Sequence, residues 1–141
     1  MDCLFCGIVD GTVPSHVVLD EPYVLGFLDT RPLFKGHVLL VPRIHVDTLP
    51  DLPAELVPVL MGAVQRMASG VVRALGSQGS FVAVNNVVSQ SVPHLHVHVV
   101  PRTKGDGLRG FFWPRTKYAS DDEAQEYAAR LAAALDPPVA P

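Results

Sequence analysis

Apolar and polar positions alternate along this chain with a period that changes from block to block, and the changes mark its elements. Val17-Val18-Leu19 and Val24 to Leu28 are short apolar runs separated by Asp20-Glu21-Pro22, which predicts a β-hairpin. Val38 to Val41, between Gly36 and Pro42, reads as a buried strand. The period then lengthens. Leu56, Leu60, Val64, Met67, Val71 and Leu75 recur every three or four residues, the stripe of a long helix. Asp51 can cap that helix with Pro53 in its first turn, Pro58 bends its start and Gly76 closes it. Strands follow over Phe81 to Val84 and Val92 to Val100. After a loop rich in Gly and Arg, Ser120-Asp121-Asp122-Glu123 is a capping box for a last helix, with Ala124, Tyr127, Ala128, Leu131 and Leu135 on its apolar face. A short helical turn over Phe5 to Val9 precedes the hairpin. This order, with short early connections, predicts an α+β fold: an antiparallel sheet of about five strands, one long central helix and a C-terminal helix. The reading is one domain over residues 1–135, with the Pro-rich residues 136–141 as a frayed tail.

Composition narrows the function classes. A net charge of −3 gives no case for nucleic-acid binding, and no apolar stretch approaches the length of a membrane span. With no basic, apolar leader after Met1, the expected location is cytoplasmic, with no membrane partner. Five of the eleven Lys and Arg (Arg102, Lys104, Arg109, Arg115 and Lys117) fall in one stretch, either a solvated loop or a rim that attracts phosphates. Phe111-Phe112-Trp113 lies inside it and either covers a partner's pocket or packs locally. Cys3 and Cys6 are the only cysteines, and a lone Cys-x-x-Cys suits a metal or a redox pair better than a disulfide framework. There is no Gly-x-Gly-x-x-Gly and no Gly-Lys-Ser/Thr loop, so a nucleotide would be held some other way.

The candidate chemistry centres on His94-Leu95-His96-Val97-His98. In a strand, alternate residues share a face, so the three imidazoles line one side and Leu95, Val97 and Val99 the other. Three readings are open: a nucleophilic imidazole attacking phosphorus, a strand-borne metal site, and satisfied core histidines. The preceding Asn85-Asn86-Val87-Val88-Ser89-Gln90-Ser91 offers amides and hydroxyls but no carboxylate, which suits an anionic substrate better than a metal cage.

Gln90-Ser91-Val92-Pro93-His94-Leu95-His96-Val97-His98-Val99-Val100-Pro101-Arg102 resembles the motif of the histidine triad (HIT) nucleotide-binding family. Phe27-Leu28-Asp29, followed by Lys35-Gly36-His37-Val38-Leu39-Leu40-Val41-Pro42-Arg43-Ile44-His45, resembles that family's upstream block, and Phe5-Cys6-Gly7-Ile8 extends the likeness over most of residues 3–102. The resemblance implies a nucleotidyl hydrolase or transferase cleaving at the α-phosphate of a purine nucleotide conjugate: a phosphoramidate, a dinucleoside polyphosphate or a relative of these. It implies His96 as nucleophile, with a backbone carbonyl fixing its tautomer, and His98 as donor to an α-phosphate oxygen. Gln90 and Ser91 would contact the phosphate or leaving group, and Asn85 the phosphate side. Asp29 would hold the ribose hydroxyls, although beside Thr30 and Pro32 it can also begin a turn. Phe5, Ile8 and Phe27 would line the base pocket, Phe27 being equally suited to the core, and His37 would support the triad from behind.

Relatives with this N-terminal Cys pair imply a structural zinc on Cys3, Cys6, His45 and His94, and no organic cofactor. They also imply a homodimer, for which the long helix is the expected contact. One departure stands out: the family has glycines between the Asn and Gln-Ser, and this chain has Val87-Val88-Ser89. The competing classes are a nucleotide-binding or scaffold protein with little turnover, and a metalloenzyme using the three histidines as ligands.

Overall fold

Val17–Asp20 (β1) and Val24–Leu28 (β2) form the expected hairpin, with Val17 opposite Phe27 and Asp20 opposite Leu25. The computed structural model describes residues 3–108, 115–138 and 140. The chain divides into two units, Met1–Asp106 and Gly107–Pro141. In the first unit the hairpin continues into Val38–Pro42 (β3), and the sheet is completed by Gly79–Ala83 (β4) and Val97–Arg102 (β5). All pairings are antiparallel and the strand order is β1-β2-β3-β5-β4. A short helix, Leu4–Val9 (α1), leads in, and a long one, Val57–Leu75 (α2), joins β3 to β4. This is the α+β architecture that the hydrophobic pattern predicts.

Strand alternation gives the sheet two faces. Val38, Leu40, Val97 and Val99, with Leu95, pack against Leu60, Ala63, Val64 and Val71 of α2. Leu25, Phe27, Leu39 and Val41 form a second cluster on the other side with Phe5 of α1. Each fully buried apolar side chain of this size stabilises the fold by about 1.5–3 kcal/mol. The turn before β3 needs Gly36: its φ is +95°, and a Cβ there would lie 2.3 Å from Leu75 Cδ1. Gly76, at φ +68°, ends α2 in the left-handed conformation that glycine accepts at least cost.

Small shifts aside, such as β4 starting at Gly79 rather than Phe81, two element starts differ from expectation by several residues. The long helix starts at Val57, beyond Asp51, after two 3-10 turns at Leu49–Asp51 and Ala54–Leu56. Asp51 does not cap it. Its Oδ2 instead accepts from the Thr48 amide at 3.1 Å and the Thr48 hydroxyl at 2.6 Å. Leu52, before Pro53, is extended (φ −69°, ψ 127°), as a residue preceding proline prefers. The later start also places Pro58 in the first turn of α2, where its missing N–H costs nothing. The histidine strand is likewise shorter than predicted. β5 begins at Val97, so only His98 of the triplet lies in the ladder, opposite Leu39 and Ala83. Just before it the backbone bonds elsewhere: the Leu95 amide goes to the Val46 carbonyl at 2.7 Å and the His94 amide to Val92 at 2.8 Å.

In the second unit, Asp121–Ala134 (α3) is capped as its sequence predicts. The Ser120 hydroxyl accepts from the Glu123 amide at 3.2 Å, and Glu123 Oε1 accepts from the Ala119 amide at 3.0 Å. Tyr127 stacks at a tilt on Tyr118, with Arg130 over its ring. Leu135 falls just past the helix end. Phe111, Phe112 and Trp113, and Arg109 of the basic stretch, lie outside the described residues.

Candidate active site and adjoining metal-ligating cluster

Although the triplet is only partly in the sheet, its alternation holds. Leu95, Val97 and Val99 are fully buried toward α2, and the three imidazoles lie on the opposite side. There His94 is fully buried, His96 is 3% exposed and His98 is half-buried. The His96 and His98 ring centroids lie 5.0 Å apart, and the Phe5 ring of α1 is T-shaped to both His96 (5.0 Å) and His94 (6.0 Å).

His96 and His98 open into a cavity of about 390 Å³, within the range of small-molecule sites. Its apolar wall is made by Leu4, Phe5, Ile8, Val13, Phe27 and Leu39, and its polar lining by Ser15, Asp29, Thr30, Arg31 and Ser91. The hydrogen bonds fix which nitrogen of each imidazole carries a proton. His96 Nδ1–H donates to the His94 carbonyl at 2.7 Å, leaving Nε2 with its lone pair. The Leu33 amide donates to His37 Nδ1 at 3.1 Å, so the proton of His37 sits on Nε2 and goes to His98 Nδ1 at 2.9 Å. Neutral His98 therefore carries its own proton on Nε2. Burial, then the neighbouring His96 and His37, push the His98 pKa down to about 4, against the pull of Asp29. Burial also lowers the pKa of His37, with Asp29 opposing. The cavity thus combines a lone-pair imidazole nitrogen and a neutral imidazole N–H, an arrangement able to attack an electrophilic centre and to hold one of its oxygens.

Beside the cavity, Cys3, Cys6, His45 and His94 converge, with one ligand atom from each within 4.8 Å of all the others. Cys3 is the N-cap of α1 and Cys6 lies one turn on, so the helix aims both sulfurs the same way. Both imidazoles turn Nδ1 toward sulfur. His94 Nδ1 is 3.5 Å from Cys3 Sγ and 3.6 Å from Cys6 Sγ, and His45 Nδ1 is 3.2 Å from Cys6 Sγ. The far nitrogens are anchored, His94 Nε2–H on the Pro42 carbonyl and His45 Nε2–H on the Asp47 carboxylate, both at 2.9 Å. Burial holds the His94 pKa below its ordinary value, in the neutral form a metal takes. Tetrahedral zinc with bonds of roughly 2.0–2.3 Å separates its ligand atoms by about 3.3–3.8 Å, which these distances approach. The donor set, the spacing and the anchored far nitrogens fit a closed metal site.

The cavity therefore gathers His96, His98, Ser91, Asp29, Phe5, Ile8 and Phe27 of the residues singled out by sequence. Four more of the expected catalytic and nucleotide-contact residues lie elsewhere. His94 faces the thiols, and His37 stands behind His98, with Nε2 3.7 Å from Asp29 Oδ2. Gln90 is committed within the loops: its Nε2 donates to the Asp47 carbonyl at 2.5 Å and its Oε1 accepts from the Val87 amide at 2.9 Å. Asn85 reaches the Ser89 carbonyl at 3.4 Å. Asp29 takes part in a turn as well as the cavity, since its Oδ1 accepts from the Arg31 amide at 2.9 Å. Sequence reasoning missed Asp47, whose signal was its place two residues after His45. It also missed Ser15, Arg31 and the Leu33 amide, which had no signal beyond their loops.

Comparison with known proteins points to one family. The HIT domain family model matches residues 10–105. The crystal structure of a HIT family member from Bacillus subtilis superposes with a TM-score of 0.86 at 30% identity, over 98% of this chain and all of that one (100%). A zinc-bound histidine triad family protein from Mycobacterium smegmatis gives 0.73 at 34% identity, over 96% of this chain and 99% of its own. The adenosine 5′-monophosphoramidase of Schizosaccharomyces pombe is 32% identical over 116 residues, covering 81% of this chain and 84% of that protein.

Proposed function

The chain belongs to the HIT domain family, and on that premise we propose that it hydrolyses nucleotide conjugates at the α-phosphate through a nucleotidyl-histidine intermediate. Membership supports a nucleotide-directed hydrolase at the coarse level, and the phosphoramidase of S. pombe points to a P–N bond as one cleavable link. The observation that carries the reading is the tautomer of His96. With Nδ1–H held by the His94 carbonyl, Nε2 is the free lone pair, and His96 lines the cavity.

In this reading Phe5, Ile8 and Phe27 take a purine base and the Oδ2 edge of Asp29 takes the ribose hydroxyls. His96 Nε2 attacks the α-phosphorus, and His98 Nε2–H holds a non-bridging oxygen. The bond to the leaving amine breaks with its electron pair on nitrogen, which takes a proton from solvent at the open Ser91 side of the cavity, a proton returned to solvent when water adds in the next step. Water then attacks the same phosphorus, the bond to Nε2 breaks, and nucleoside monophosphate leaves. Gln90 acts by bracing the Val87–Ser91 loop against Asp47, a positioning role rather than a phosphate contact.

The test is turnover of adenosine 5′-phosphoramidate and of diadenosine polyphosphates by wild type and His96→Ala. Loss of about 10⁴-fold or more is expected when the attacking group is removed; an unchanged rate sinks the proposal. A three-histidine metalloenzyme is disfavoured, because among the described residues no ligand group collects His94, His96 and His98 together.

We further propose that Cys3, Cys6, His45 and His94 hold a structural zinc that supplies a fixed cross-link between the N-terminus and the histidine segment. Elemental analysis should find one zinc per chain, and a metal-free protein of equal stability ends that idea. A homodimer along α2 is proposed from the exposed Val57, Met61 and Val72, which share one helix face outside the core. Gel filtration at the monomer volume counts against it.

A further inference from the structure

We infer that the thiol–imidazole cluster and the nucleotide cavity are one coupled unit, in which metal and nucleotide each raise the other's affinity. The inference rests on the proposal above that the cavity takes a nucleotide. Two physical connections join the sites. The first is α1. Its six residues are far too few to form a stable helix alone, so tertiary anchors keep it wound. Cys6 and the N-cap Cys3 belong to the cluster, whereas Leu4, Phe5 and Ile8 line the cavity. One short turn is therefore at once half of a metal-ligand set and a wall of the binding pocket. Ordering it carries an entropic cost that the first ligand to bind meets for both.

The second connection is His94. Its Nδ1 faces the two sulfurs, and its own carbonyl accepts the Nδ1–H of His96 at 2.7 Å. A metal that fixes the His94 ring also fixes the carbonyl that orients His96. Phe5 ties the two connections together, with its ring T-shaped to both imidazoles and to Phe27 at 5.3 Å.

Linkage between two binding sites is reciprocal, and couplings of this kind are typically about 5–150-fold. The experiment uses the full chain with zinc and AMP as probes. Zinc affinity is measured by competition with a chromophoric chelator, with and without saturating AMP, against a protein-free control for AMP's own hold on zinc. AMP affinity is measured by calorimetry on zinc-loaded and zinc-stripped protein. The expected result is the same factor in both directions, about tenfold, with faster amide exchange in α1 after stripping. Phe5→Leu, which keeps an apolar wall without the ring, should bind both ligands with the factor reduced toward one. If both ligands bind and neither alters the other's affinity, the coupling is wrong while the nucleotide reading stands. If AMP does not bind at all, both fall.

Discussion

The two faces of the sheet use the same strand alternation to opposite ends. Toward α2, Leu40, Val97, Val99 and Leu60 are buried among other apolar side chains, and the product is stability alone. Toward α1, the apolar cluster of Leu25, Phe27, Leu39 and Val41 gives way at the histidine segment to imidazoles whose hydrogen bonds restrict a tautomer, a ring orientation or a lone pair. The Pro42 and His94 carbonyls, the Leu33 amide and the Asp47 carboxylate each fix one nitrogen. Packing tolerates any apolar group of suitable shape, so the α2 face is defined by its volume. The histidine face is defined by donors and acceptors, so single atoms matter there.

The sharpest way to break this comparison is a pair of substitutions. His96→Ala should lower turnover by about 10⁴-fold or more, equivalent to at least ~5 kcal/mol of barrier. Leu60→Ala, which removes a 1%-exposed side chain from the α2 face, should cost about 2–5 kcal/mol of unfolding free energy. It should leave the turnover of the folded fraction unchanged. Chemical denaturation and steady-state kinetics on both variants decide the matter. If Leu60→Ala changed the rate constant of folded protein, the division of labour between the faces would fail.

The difference also explains what the sequence made legible. The strands, the long helix and the core stripe from Leu60 to Val71 follow from periodicity, because packing is a matter of pattern. The histidine triplet was visible for the same reason, in the alternation of His94, His96 and His98 with Leu95 and Val97. The partners of those imidazoles were not. A carbonyl at Pro42 or an amide at Leu33 belongs to the backbone and leaves no mark on residue type. Likewise, α2 begins later than its capping pattern predicts because Asp51 serves Thr48, a choice made by local hydrogen bonding that a capping residue does not reveal.

A smaller test of the histidine face uses pH. His98 stays neutral in the folded protein down to about 4, against an ordinary value of 6.5, and His37 and His94 are lowered in the same direction by burial. Between those values the unfolded chain binds more protons than the folded one, so stability must rise with pH up to 6.5 and lose this dependence above it. Thermal unfolding from pH 4.5 to pH 7.5 should show that rise, and His98→Gln should make it shallower by removing a titrating ring. A variant with an identical slope would mean that His98 is not held neutral by its burial.

The smallest effect concerns the loop that leads into the histidine segment. Among the described residues, only Val87 (φ 68°) and Ser89 (φ 61°) are non-glycine residues with positive φ, and both lie in this loop. The chain keeps the left-handed turns without the glycines that would make them easy. Gln90 Oε1 holds the Val87 amide, and Asn86 Oδ1 accepts from the Leu49 amide at 2.8 Å, so the loop is pinned at both ends. A β-branched side chain at such a φ is strained by about 1–2 kcal/mol. Val87 is 75% exposed and recovers little of that through packing. Asparagine accepts this conformation without the extra unfolded-state entropy of glycine. Val87→Asn should therefore raise unfolding free energy by about 1 kcal/mol and keep the Gln90 brace, since that bond uses the backbone amide. Equilibrium denaturation measures the gain. A loss of stability instead would mean that the valine side chain, and not the pinned backbone, holds the loop against the histidines.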